Sequence, residues 1–80
     1  MGSSWPSLKA KEMRRLLERE LGYATVRQEG SHRRMISEGR PDIIFAFHDS
    51  VSIPPHRVKG ILVKDVGLSL AEAEKVVRNA

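Results

Sequence analysis

Apolar residues at Ala10, Met13, Leu16, Leu17 and Leu21 recur at the i, i+3, i+4, i+7 spacing that gives a helix one apolar stripe. Ser7 is a good N-cap type just after Pro6, and Gly22 suits the left-handed position that stops a helix. The pattern therefore predicts a first helix from Ser7 to Leu21. Residues 1–6 carry no period and read as a flexible tail.

Beyond Gly22 the period falls to two. Tyr23 to Gln28 is rich in strand formers, Glu29-Gly30-Ser31 reads as a turn, and His32 to Ser37 reads as a second strand. After the turn Glu38-Gly39-Arg40-Pro41, a third strand over Asp42 to His48 alternates Ile43, Phe45 and Phe47 with Ile44, Ala46 and His48. Asp49 to Ile53 reads as a loop. Pro54-Pro55 opens a second helix whose stripe is Val58, Ile61, Leu62 and Val66, stopped by Gly67. Gly60 inside that helix implies a close approach, to a strand by packing or to a ligand. Ser69 and Glu72 have the capping-box spacing for a short last helix through Ala71, Val76 and Val77. The order α-β-β-β-α-α predicts an α+β fold in one domain over residues 7–80. Its antiparallel three-stranded sheet has helices on one face, because so small a sheet needs cover to be stable.

Composition narrows the possible ligands. The 80 residues are 40% hydrophobic and 5% aromatic, which suffices for a thin two-layer core but not for a deep enclosed pocket, so no small-molecule cofactor is expected. Cysteine is absent, which excludes disulfides and thiolate metal sites and makes a reducing cytosol the natural compartment. The longest apolar stretches, such as Ile43 to Phe47, are far short of the ~20 residues of a membrane span, so no membrane partner is expected.

Residues 1–40 hold nine basic and five acidic side chains and residues 41–80 five of each, so the net charge of +4 arises in the first half and favours a polyanion. On the first helix Lys11, Arg15 and Arg19 recur every four residues. They suit either a solvated face paired with Glu12, Glu18 and Glu20 or contacts to phosphates.

There is no Gly-rich phosphate loop, no His-x-Glu or Cys-based metal set and no Gly-x-Ser-x-Gly elbow, so no metal site is expected. Chemistry near neutral pH then centres on His32, His48 and His56, because imidazole is the side chain that ordinarily titrates there. With Met35 and Ile43, Phe45 and Phe47 toward the core, parity puts His32, Arg34 and Ile36 on the open face with Ile44, Ala46 and His48, and Arg33 toward the core rim. Pairing the two strands about Arg40 sets His32 opposite His48; a slip of two residues would keep the faces and separate the histidines. Such a face could cleave RNA. One histidine would take the 2′-OH proton, a second group would protonate the leaving 5′-oxygen, and arginines would hold the phosphate. The plainer reading makes both histidines ordinary exposed strand residues. His56 at a helix start is plainer still.

The chain resembles the HicA toxins of bacterial HicAB toxin-antitoxin modules, small RNases with a double-stranded-RNA-binding-like fold. The resemblance spans about residues 7–70. It rests on Lys9-Ala10-Lys11-Glu12 through Gly22-Tyr23, on Val26-Arg27-Gln28-Glu29-Gly30-Ser31-His32, on Phe45-Ala46-Phe47-His48, and on Ile53-Pro54-Pro55 with Val58-Lys59-Gly60-Ile61-Leu62 and Gly67-Leu68-Ser69. Met35 stands where the family more often has an aromatic residue, and Ala46 where it has proline. The resemblance implies a metal-independent endoribonuclease, an mRNA interferase of the bacterial cytoplasm, that cuts mRNA, halts translation and is neutralised by a HicB-type antitoxin. It implies that His32 is the catalytic histidine, presented by Gly30 and Ser31. Arg27, Ser31, Arg33 and Arg34 are then candidate RNA contacts, joined by Lys11, Arg15 and Arg19 of the helix stripe, whereas His48 as a second catalytic group rests on the strand pairing alone. The rival reading is a non-catalytic double-stranded-RNA-binding module on the same scaffold.

Overall fold

A computed structural model of the protein describes residues 5–79. Strand β1 (Leu8–Lys9) leads into helix α1 (Ala10–Leu21). Strands β2 (Ala24–Glu29), β3 (His32–Ile36), β4 (Ile43–Ala46) and β5 (Ser52–Ile53) follow, then helix α2 (Pro55–Gly60) with a π-helical continuation (Ile61–Asp65), and α3 (Leu70–Arg78). β2, β3 and β4 form the antiparallel sheet in that spatial order, and β1 pairs with β5 as a separate ribbon. The architecture is the α+β arrangement expected. Met35, Ile43 and Phe45 of the sheet are buried with Met13, Leu16 and Leu17 of α1 and Val58 and Leu62 of the second helix, whereas Ile36 and Ile44 on the other face are exposed. Each large side chain so buried contributes about 1.5–3 kcal/mol.

The expected tail over residues 1–6 falls largely on residues 1–4, which lie outside the described residues; Trp5 packs against the core. The first helix begins three residues later than its polarity pattern predicts. Leu8 and Lys9 pair with Ile53 and Ser52, so the stretch read as a plain loop contains a short strand. That stretch also satisfies the helix start: Ala10 N–H donates to the Val51 carbonyl at 2.8 Å and Lys11 N–H to that of Asp49 at 3.3 Å. Ser7 is therefore not the cap. Glu12 closes the turn instead, accepting a hydrogen bond from Lys9 N–H at 2.9 Å.

At the other end of α1 the chain stops at Gly22, whose φ is 70°. Ser37 Oγ donates to the Leu21 carbonyl at 2.6 Å, and Tyr23 Oη donates to the Pro41 carbonyl at 2.7 Å, which ties the β3–β4 connection to the helix end. This connection sets the register. Arg40 N–H donates to the Ser37 carbonyl at 3.1 Å, and Gly39 takes a φ of 76°, so the hairpin is centred on Gly39 rather than on Arg40. Consequently Met35 pairs with Ile43, Arg34 with Ile44 and His32 with Ala46. The faces are those expected, and the pairing is the two-residue slip, which separates His32 from His48.

In the second helix Val58, Ile61, Leu62 and Val66 are all buried as their spacing predicts. The unexpected feature is the widening over Ile61–Asp65, where Val66 N–H reaches back to the Ile61 carbonyl at 2.9 Å. Gly60 stands just before it, and a Cβ built there would meet nothing within 4 Å, so packing within the chain does not explain the glycine. In α3 the Ser69–Glu72 capping box forms, but Ala73 rather than Ala71 is the buried residue, with Val76 and Val77 half buried against the core.

Candidate functional site

β2 and β3 are joined by only two residues, Gly30 and Ser31, and Glu29 pairs directly with His32 across the turn. Gly30 has a φ of 59° while no non-glycine among the described residues has a positive φ. That is the pattern of a type II′ turn, which needs glycine at its first central position and matches the twist of the strands it joins. His32 is therefore the first residue of β3 and lies on the open face of the sheet, exposed.

Its neighbours on that face depend on an irregularity in β2. Thr25 pairs with buried Met35, and strict alternation would send Arg27 to the same covered side as Thr25. The register shifts between Thr25 and Arg27, so that Arg27 pairs with Arg34 and shares the open face. Arg27, Glu29, His32, Arg34 and Ile44 line one hollow of about 260 Å³. Arg34 Nη2 donates to Asp42 Oδ2 at 2.8 Å, and Arg27 lies 3.9 Å from Glu29; all four of these side chains are at least half exposed.

Arg33 points the other way. It is half buried on the helix side, 3.7 Å from Asp49, and Arg14 of α1 grips the same carboxylate through hydrogen bonds of 3.2 Å to each oxygen. The Arg14 hydrogen bonds hold the Asp49 carboxyl below its ordinary 3.8, with the charges of Arg14, Arg33 and Lys11 acting in the same sense. The buried Nε atoms of Arg14 and Arg33 have no hydrogen-bond partner among the described residues. This trio locks α1, β3 and the loop after β4 together.

Of the other expected site residues, Ser31 occupies the turn beside His32, half buried, and His48 lies on the loop past β4, exposed, two positions beyond the partner of His32. Arg15 and Arg19 border a separate hollow with Pro6, Leu8, Glu12 and Val77, away from the open face of the sheet. Lys11 is exposed near Asp49. The structure thus gathers His32, Arg27 and Arg34 and leaves the helix stripe apart. Sequence reasoning missed Glu29 as the partner of His32, although a two-residue loop read from Gly30-Ser31 would have paired them. It also missed Arg14, whose partner Asp49 is 35 positions away and gives no local signal.

The family model describing the HicA toxin of bacterial toxin-antitoxin systems matches residues 10–68. The chain belongs to the HicA toxin family. The matched span begins with α1 and contains the whole sheet and the hollow around His32, so the three-stranded α+β architecture is the double-stranded-RNA-binding-like HicA fold. HicA membership makes the chain the toxin of a toxin-antitoxin pair, with an antitoxin as its partner. No curated protein and no solved structure matches it. Among the described residues no helix is long and apolar enough to cross a membrane.

Proposed function

We propose that this HicA chain is a metal-independent endoribonuclease that cleaves mRNA in the bacterial cytoplasm and is neutralised by a HicB-type antitoxin. The observation that carries the reading is His32 standing on the open face of the sheet in one hollow with Arg27 and Arg34. An RNA phosphate enters between the two guanidiniums, displacing their exposed carboxylate partners, since surface ion pairs are worth no more than about 1 kcal/mol. His32 removes the 2′-OH proton as the 2′-oxygen attacks phosphorus. The bond from phosphorus to the 5′-oxygen breaks, leaving a 2′,3′-cyclic phosphate and a 5′-hydroxyl. Glu29 pairs with His32 across the turn and lines the same hollow. The proton for the leaving oxygen is assigned to His48, the other imidazole at this end of the sheet, and Ser31 contacts the strand at the turn. Arg33 contributes through the position of β3, while Lys11, Arg15 and Arg19 attract RNA at longer range.

Incubation of the purified protein with a single-stranded transcript in EDTA tests the reading. Fragments ending in cyclic phosphate are expected from the parent, slower cleavage from His48→Ala, and no cleavage from a folded His32→Ala. Retained cleavage in His32→Ala overturns the assignment. Binding of double-stranded RNA with no fragments from the parent would favour the non-catalytic module.

A further inference from the structure

The two edges of the sheet are unlike. β2 is guarded by its register shift and by Arg27 and Glu29, devices that discourage another strand from pairing. β4 reads Ile43-Ile44-Phe45-Ala46, with neither charge nor proline, and has no strand on its outer side among the described residues. Alongside that bare edge runs a groove of about 400 Å³, walled opposite by α2 and its π-helical continuation.

Gly60 forms part of the far wall, and the space where its Cβ would stand is open. The groove is thus kept wide by a helix-weakening residue that no contact among the described residues requires. Ile44, 61% exposed, borders both this groove and the hollow containing His32. Along the rim stand His56, Arg57 and Lys64 against one acid, Asp65, and neither Arg57 nor Lys64 has an ion-pair partner among the described residues.

We propose that this groove receives an extended, acidic segment of a partner protein, which adds to β4 as a fourth strand. The edge offers alternating N–H donors and carbonyl acceptors at strand spacing, which another polypeptide satisfies in full. The cationic rim selects for carboxylates on that segment. A second copy of this chain is disfavoured because it would bring the same rim and a like net charge of +4 against itself. The inference rests on the ribonuclease reading only for its consequence: a strand on β4 lies about 10 Å from β3, near enough for its side chains to cover the hollow.

The isotope-labelled full chain, titrated with an eight-residue peptide alternating Val and Glu, tests the docking by amide NMR. Shifts are expected in residues 43–47 and 56–65, and the alternating Val and Lys peptide should bind at least tenfold more weakly. Gly60→Leu should weaken binding tenfold or more without lowering the thermal midpoint, and the double variant Arg57→Ala, Lys64→Ala should do so by a comparable factor. His32→Ala should bind the acidic peptide as the parent does, which separates this test from that of RNA cleavage. The proposal is overturned if the shifts centre on Arg27 and Arg34, if Gly60→Leu binds undiminished, if the acidic peptide causes no shifts at millimolar concentration, if a single-stranded oligonucleotide claims the same amides more tightly, or if sedimentation equilibrium shows that the free chain already dimerises through β4.

Discussion

At the scale of single residues, the site is made by which way side chains point. His32 and Arg33 are adjacent in sequence, yet one is exposed beside Arg34 and the other is half buried against Asp49. Period-two alternation alone separates them, so a basic run in a strand divides its charges between two faces. Arg27 reaches the site only through the shifted register beside it. Thr25, on the covered side, has a buried Oγ1 without a hydrogen-bond partner among the described residues. An unpaired buried hydroxyl is costly and valine is isosteric and a better strand former. Thr25→Val should therefore stabilise the fold by about 1 kcal/mol, read as a higher urea midpoint at unchanged slope.

At the scale of elements, caps and turns decide where chemistry is presented. The Gly30-Ser31 turn fixes the pairing of Glu29 with His32, and the Ser37–Arg40 turn fixes that of His32 with Ala46. Both turns are legible as Gly-containing punctuation. The exact pairing of β3 with β4 is not, because Ser37 Oγ and Tyr23 Oη anchor the second turn to residues far away in sequence. The start of α1 was hidden for a similar reason: a strand of two residues has no period to detect, and Leu8–Lys9 becomes one only when Ser52–Ile53 is beside it. Gly60 is a case where local propensity is overruled without a contact among the described residues to account for it. Gly60→Ala should raise stability by about 0.5–1 kcal/mol and the thermal midpoint by several degrees. A fall would mean that the backbone before the π-helical segment needs glycine.

At the scale of the molecule, three segments meet at Asp49, which lies on the loop after β4, binds Arg14 of α1 and lies against Arg33 of β3. Glu72 likewise has its carboxyl held below its ordinary value, chiefly by the Ser69 backbone N–H at the cap of α3. A carboxylate whose folded value is lowered binds fewer protons in the native state than in the unfolded one. Its contribution is complete above the ordinary values of 3.8 and 4.5 for Asp49 and Glu72, and is lost as pH falls through the lowered ones. The urea midpoint should thus drop on the acid side of those values, and Asp49→Asn should flatten part of the drop. An unchanged acid profile in that variant would remove Asp49 from the account.

The main helices, the three strands of the sheet and the fold class were legible in the sequence, whereas β1, β5 and the π-helical segment were not. Apolar periods of 3.6 and 2 are local, as are the stops at Gly22 and Gly67, the Gly30-Ser31 turn before His32 and the Ser69 cap, and together they specify an α+β order. Which charges share the open face with His32 and which brace the core was settled only by tertiary structure. Strand parity was readable, but the shift that turns Arg27 outward, the two-residue offset that parts His48 from His32, and the capture of Asp49 by Arg14 all arise from contacts between distant segments. Only the assembled sheet has edges, and the bare one beside Gly60 exists because β4 finds, among the described residues, a neighbour on one side alone.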